Sequence, residues 1–312
     1  MNIEVLEKIF IVGEDAFLSL SNIRGKVSIQ AVDDSVITIH AEKTLNSGDA
    51  DNTIIELVQE EDGKVIISTR YDPSGFRFFR RIVPCKVNYE VSVPRNCDLK
   101  VRGVSNAANI DGISGLLDIS TVSGGVNLNS LEGELKFKSV SGDVQGENIN
   151  APAKIESVSG DFHLKECNFP SMRVKTVSGD LSFETLLGSG PYEFNSVSGD
   201  IKLEASQLTG VTVNSSSLSG DLRIPLPLSA SNHSRNHHKT EIMGGGVDIR
   251  HKSVSGDFYF DSAGEGEDLK ELPFPISDGI EQVSRADILD SIGRGELSVD
   301  KAVGILENTK AS

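Results

Sequence analysis

Val140-Ser141-Gly142-Asp143 decides how this chain is read, because the tetrad returns. It recurs at Val158–Asp161, Val177–Asp180, Val197–Asp200 and Val254–Asp257, and with leucine first at Leu218–Asp221. A degenerate copy, Val122-Ser123-Gly124-Gly125, precedes these, and Val104-Ser105-Asn106 looks like an earlier relic. Starts at 104, 122, 140, 158, 177, 197 and 218 lie 18, 18, 18, 19, 20 and 21 residues apart, a period that marks a repeat architecture.

Apolar residues alternate on both sides of each tetrad, as strands require. Before it come Leu135-x-Phe137, Met172-x-Val174, Tyr192-x-Phe194 and Val211-x-Val213; after it come Phe162-x-Leu164, Leu181-x-Phe183, Ile201-x-Leu203 and Leu222-x-Ile224. One such unit cannot bury its apolar side, whereas stacked units can. The predicted fold is therefore all-β: a parallel β-solenoid of roughly eight coils, each 18–21 residues, with coils ~4.8 Å apart along a stack ~38 Å long. Antiparallel hairpins tipped by Ser-Gly-Asp are the competing geometry. They give no reason for the same four residues at every second turn. Solvent-facing positions agree with stacking, since Lys138, Glu156, Lys175 and Asn195 fall in one column and Lys165 and Glu184 in another, cross-strand pairs worth ~0.2–1 kcal/mol each.

The corner residues of this scheme are Ser141, Gly142 and Asp143, then Ser159, Gly160 and Asp161, Ser178, Gly179 and Asp180, Ser198, Gly199 and Asp200, Ser219, Gly220 and Asp221, and Ser255, Gly256 and Asp257. In-register stacking lines up Asp143, Asp161, Asp180, Asp200 and Asp221, and charges ~4.8 Å apart repel by about 0.9 kcal/mol in water. Each carboxylate is expected to accept backbone N–H groups at its own corner, with glycine supplying positive φ. The rival is a cation ladder on these aspartates, but one Asp per coil is too few oxygen ligands for a dedicated cage. No metal and no cofactor is expected.

Composition bounds the partners. The 312 residues carry 46 acidic and 30 basic side chains, a net charge of −16, and no basic run longer than Arg80-Arg81, so nucleic acid is not an expected partner. Thirty glycines against ten prolines suit many tight turns. The first residues show no signal-peptide pattern and no window is apolar enough to span a bilayer, so the expected location is the cytoplasm. Cys85, Cys97 and Cys167 are odd in number and lack metal-ligand spacing, so isolated reduced thiols are expected. His233, His237 and His238 fall in an interruption of the repeat at 225–246 and read as a solvated polar loop. Phe76, Arg77, Phe78, Phe79, Arg80 and Arg81 either close one end of the sheet or touch an anionic membrane surface or a partner.

Val87-Asn88-Tyr89-Glu90-Val91-Ser92-Val93-Pro94, running through Leu99-Lys100-Val101 into the tetrads, resembles the bacterial "putative adhesin" β-strand-repeat family. Leu18–Ile29 and Val36–Ala41 look like its first strands, and the resemblance spans about residues 8 to 261. It implies a stacked, non-catalytic β-solenoid with surface or envelope-stress roles. The C-terminal stretch Asp287-Ile288-Leu289 through Gly295–Ala302 is similar to short helical modules that accompany this family.

The expected organisation is a β-rich N-terminal cap over 1–100, the solenoid over 101–262, an acidic linker over 263–279 and a helical hairpin over 280–312. That hairpin would present Ile288, Leu289, Ile292, Val299, Val303 and Leu306 for self-association. The expected function is a non-catalytic binding or scaffold protein that engages a protein partner or itself at or near the cell envelope. The alternatives are an enzyme acting on polysaccharide through a parallel β-helix and a cytoplasmic polymer of the bactofilin kind. No histidine recurs beside the corners to act as a base, and aromatics for sugar stacking are only 5%.

Overall fold

A computed structural model describes residues 2–13, 15–72, 83–207, 209–234 and 237–262. The aromatic-basic run 76–81, the linker 263–279 and the helical hairpin expected over 280–312 lie outside the described residues.

The N-terminal strands are β1 (Ile3–Ile11), β2 (Ala16–Val32), β3 (Val36–Thr44), β4 (Thr53–Gln59), β5 (Val65–Tyr71) and β6 (Lys86–Pro94). The repeat follows as β7 (Cys97–Asp111), β8 (Ser114–Ser123), β9 (Val126–Ser141), β10 (Val144–Asn150), β11 (Ala153–Ser159), β12 (Phe162–Phe169), β13 (Met172–Lys175), β14 (Leu181–Leu187), β15 (Tyr192–Asn195) and β16 (Ile201–Ala205). The last described strands are β17 (Val211–Ser217), β18 (Leu222–Arg223), β19 (Ala230–Ser234), β20 (His237–Ile242), β21 (Val247–Ser253) and β22 (Phe258–Ser262).

Strands that precede a corner stack in parallel as one ladder: β8, the second half of β9, β11, β13 and β15. Strands that follow a corner form a second: the first half of β9, β10, β12, β14 and β16. The period-two pattern sends Phe137, Ile155, Val174 and Phe194 inward from the first ladder and Val144, Phe162, Leu181 and Ile201 from the second, all buried. Burying each such side chain contributes about 1.5–3 kcal/mol, which is why neither ladder is stable without the other.

The parallel stack reaches back into the segment read as a cap. The first half of β2 lies between β5 and β7, its second half between β6 and β7, and Arg24-Gly25 sits in register with Ser105-Asn106. Antiparallel strands then finish this end, β3 and β1 in turn on β6, and β4 on β5.

At the opposite end the coils depart from chain order. β21 pairs with β15 on one side and β17 on the other, and β22 lies between β16 and β18. The coil over 247–262 therefore inserts between the coils over 192–205 and 211–223, which corrects the expectation that Asp221 stacks directly on Asp200. The insertion at 225–246 is not a plain loop: β19 and β20 form an antiparallel hairpin on the outer edge of β17, which carries the chain back to the gap. Because every coil presents the same corner, the hydrogen-bond ladder accepts a coil from later in the chain as readily as the next one.

Candidate binding face at the stacked corners

Each corner is built from hydrogen bonds to the coil before it. The Ser141 hydroxyl donates to the Val122 carbonyl (3.3 Å), Ser159 to Val140 (3.3 Å), Ser198 to Val177 (3.3 Å), Ser255 to Val197 (3.4 Å) and Ser219 to Val254 (3.2 Å). The aspartates chain in the same sense. Oδ1 of Asp143 accepts the backbone N–H of Asp161 (3.1 Å), Asp161 that of Asp180 (2.9 Å), Asp180 that of Asp200 (3.3 Å), Asp200 that of Asp257 (2.8 Å) and Asp257 that of Asp221 (2.8 Å). The donor thus comes from the neighbouring coil, not from the carboxylate's own corner as expected. A charge-assisted bond to a backbone N–H offsets the repulsion along the column.

Glycine is required mainly by proximity. A Cβ on Gly160 would lie 2.5 Å from the Gly142 carbonyl oxygen, and one on Gly142 would lie 2.5 Å from that of Gly124. Of the six Ser-Gly-Asp glycines only Gly160 and Gly179 have positive φ. The expectation that φ explains the glycine holds for those two; the close backbone approach explains the column.

A further column precedes the tetrad: Thr121, Ser139, Ser157, Thr176, Ser196, Ser253 and Ser217, of which the first five are buried. These hydroxyls bond across their own corner, as where Ser196 donates to the Gly199 carbonyl (2.8 Å) and accepts its N–H (2.9 Å). Sequence reasoning missed them, although a hydroxyl stands before every tetrad from Val122 onward; the working motif has five residues.

The tetrad's first residue points outward. Val104, Val122, Val140, Val158, Val177, Val197 and Val254 are each between 45% and 49% exposed and Leu218 is 70% exposed, so one apolar side chain per coil forms a stripe beside the carboxylates. On the other side of the carboxylates lies a groove of about 550 Å³, lined by Asp161, Asp180, Asp200 and Asp257 together with His163, Lys202, Tyr259 and Arg223. Arg223 closes its end, 3.1 Å from Asp257 and 3.8 Å from Asp221, and Lys202 lies 5.7 Å from the centre of the Tyr259 ring. Tyr259 donates to Asp261 (2.8 Å), and that carboxylate raises the phenol's pKa. Among the described residues no group of three His, Cys, Asp or Glu side chains converges as a metal site.

The solvent-facing column is in part as predicted: Lys138 meets Glu156 at 3.0 Å, but the second oxygen of Glu156 goes to Lys154 (3.1 Å) rather than Lys175. Lys165 registers with Glu147 on one side, and on the other a bulge between Leu164 and Cys167 sets two residues of β12, Lys165 and Glu166, against Glu184 of β14. Cys85, Cys97 and Cys167 are free and buried, and burial pushes the Cys97 and Cys167 thiols up to about 12 and about 11, away from thiolate chemistry.

A family model for Toastrack DUF4097 matches residues 18–260, which takes in both ladders and every corner. The chain belongs to the Toastrack family. Solved structures similar to this Toastrack chain include one described as a putative adhesin from Bacteroides fragilis (12% identity, 82% of this chain and 97% of that chain, TM-score 0.42). Another, a putative adhesin from Parabacteroides distasonis, has 10% identity over 83% and 97% of the two chains, with a TM-score of 0.40. A protein described as a putative lipid binding protein, also from Parabacteroides distasonis, has 11% identity over 84% and 97%, with a TM-score of 0.37. No curated protein matches the Toastrack chain. Among the described residues no helix is long and apolar enough to cross a membrane.

Proposed function

We propose that this Toastrack protein is a non-catalytic binding scaffold acting at or near the cell envelope, and that its corner face is the surface it presents to a protein partner. The observation that carries this reading is the exposed valine stripe running in register beside the carboxylate column, an apolar row next to an acidic one. Such a face complements a segment with apolar side chains next to basic ones, and the net charge of −16 favours its approach. Serine, glycine and the inner carboxylate oxygens are engaged in stacking, so the face is rigid before it meets a partner, which limits the ordering cost of binding.

The test uses the purified full chain as bait in a cell extract, beside two variants. Val140→Ser/Val158→Ser/Val177→Ser removes the apolar stripe. Asp161→Asn/Asp180→Asn/Asp200→Asn removes charge while the amide oxygen still accepts the neighbouring N–H. A partner held by the native chain and lost from both variants is expected, with the loss from the asparagine variant reproduced by raising salt. A partner retained equally by all three proteins would place binding elsewhere.

A further inference from the structure

The two ends of the described stack are finished differently. At the far end the polar hairpin β19–β20 covers the outer edge of β17, and the strands left with one partner among the described residues are the two-residue β18 and the polar β19. At the near end the outermost strands are β1 and β4, and among the described residues each pairs on one side only, β1 with β3 and β4 with β5. An unpaired strand edge is a row of backbone donors and acceptors ready for another strand.

β1 is also mixed in polarity, with Leu6 and the buried Phe10 on its inner side together with two charged residues. Its register on β3 turns Glu4 and Lys8 to the side facing the core and Ile3, Val5, Ile9 and Ile11 outward, where they are 44%, 52%, 65% and 80% exposed. A one-residue slip would exchange the two faces, yet Lys43 holds Glu4 at 3.2 Å and His40 holds Glu7 at 3.0 Å in the observed register. β-branched residues set at alternate positions of an open, nine-residue edge suit pairing with a strand. Glu4, Glu7 and Glu42 beside the apolar residues disfavour an anionic bilayer, which would also leave the backbone edge unsatisfied.

The charges of β1 select its partner. In a two-fold antiparallel pair, residues facing each other across the axis belong to the same side of the sheet, so the axis passes through one residue. Centred on Glu7 or Lys8 it sets like charges opposite each other. Centred on Leu6 it sets Glu4 against Lys8 of the second copy, twice, with Leu6 against Leu6 and Ile3 against Ile9. β4 lies beneath β1, with the Lys8 ammonium 3.4 Å from the Leu57 carbonyl and the Gln59 amide 2.8 Å from that of Ile11, and it exposes Ile54 and Val58 at the same end.

We propose that β1 is the seam of a two-fold dimer, in which two copies of the chain join head to head through antiparallel pairing centred on Leu6. This deepens the scaffold reading by naming a second copy as the partner at one end. Because a two-fold pairing uses up the β1 edge of both copies, the product is a closed dimer, not a filament. The corner face does not contribute to the seam, so a monomer that still captures a partner through its valines would overturn the dimer alone.

The test is sedimentation of the full chain over a concentration series, with two sets of variants. A dimer is expected, weakened about tenfold by Lys8→Glu and restored by Glu4→Lys/Lys8→Glu. Leu6→Cys should cross-link to itself under mild oxidation while Ile11→Cys does not, the native cysteines being buried. A monomer at all concentrations, a dimer indifferent to Lys8→Glu, or self-cross-linking at Ile11 instead of Leu6 would overturn the proposal. So would a monomer that floats with phosphatidylglycerol vesicles, which would assign the apolar face of β1 to a membrane.

Discussion

At the residue scale, the corner leaves no space. Gly160→Ala places a methyl group against the Gly142 backbone, and neither backbone can retreat without breaking bonds to the coils on both sides. A loss of about 1–3 kcal/mol is expected, read as a lower denaturant midpoint. His251 is a different kind of exception, an imidazole in the core column that holds Val174 and Phe194 on one side of it and Ser215 on the other. It is buried, its Nδ1 is 3.0 Å from the Ser215 hydroxyl, its ring stacks on Phe258 at 4.7 Å, and Nε2 has no hydrogen-bond partner among the described residues. Burial lowers its pKa to about 4 from 6.5. Above pH 6.5 both folded and unfolded chains carry the neutral ring and its contribution is complete. Between pH 6.5 and about 4 the unfolded chain binds a proton that the folded chain refuses, so stability falls by about 3 kcal/mol. Chemical denaturation across this window should show that loss, and His251→Phe should remove most of it.

At the element scale, the intercalated coil is the fastener of the far end. Among the described residues, β17 and β18 pair with the rest of the stack only through β21 and β22. Ending the chain after Gly246 should therefore leave 83–205 resistant to protease while cleavage sites open within 209–234. Uncut 209–234 in the shortened chain would mean that coil 211–223 has restacked directly on 192–205, as its Leu218 tetrad would allow.

The intercalation also marks where sequence reading stops. The strand halves and corners could be read because Phe137, Ile155 and their equivalents obey period two and the tetrads keep phase. The order of the last two coils could not, because Leu218–Asp221 and Val254–Asp257 are equivalent to every neighbour they could have. The polarity of β1 was hidden for a related reason: Ile3, Val5, Ile9 and Ile11 alternate as a core-facing strand does, and only the ladder to β3 shows that they face out.

At the scale of the whole molecule, the candidate face is a by-product of regularity. The serines, glycines and aspartates were legible as corner-formers; the outward valines were not, since valine in a strand-rich repeat ordinarily reads as core. Regularity makes the stripe and the carboxylate column straight, and straightness is what a scaffold requires of a docking surface. It has a cost in synthesis. A ribosome releases Leu218 36 residues before Val254, which at about 5–20 residues per second is a delay of roughly 2–7 s. During that interval the nascent chain carries the outermost coil but not the one that belongs beneath it. Residues 211–223 must either wait unattached or settle first on the wrong neighbour and be lifted off, so the slowest step in making this protein is expected to be the late threading of its final coil.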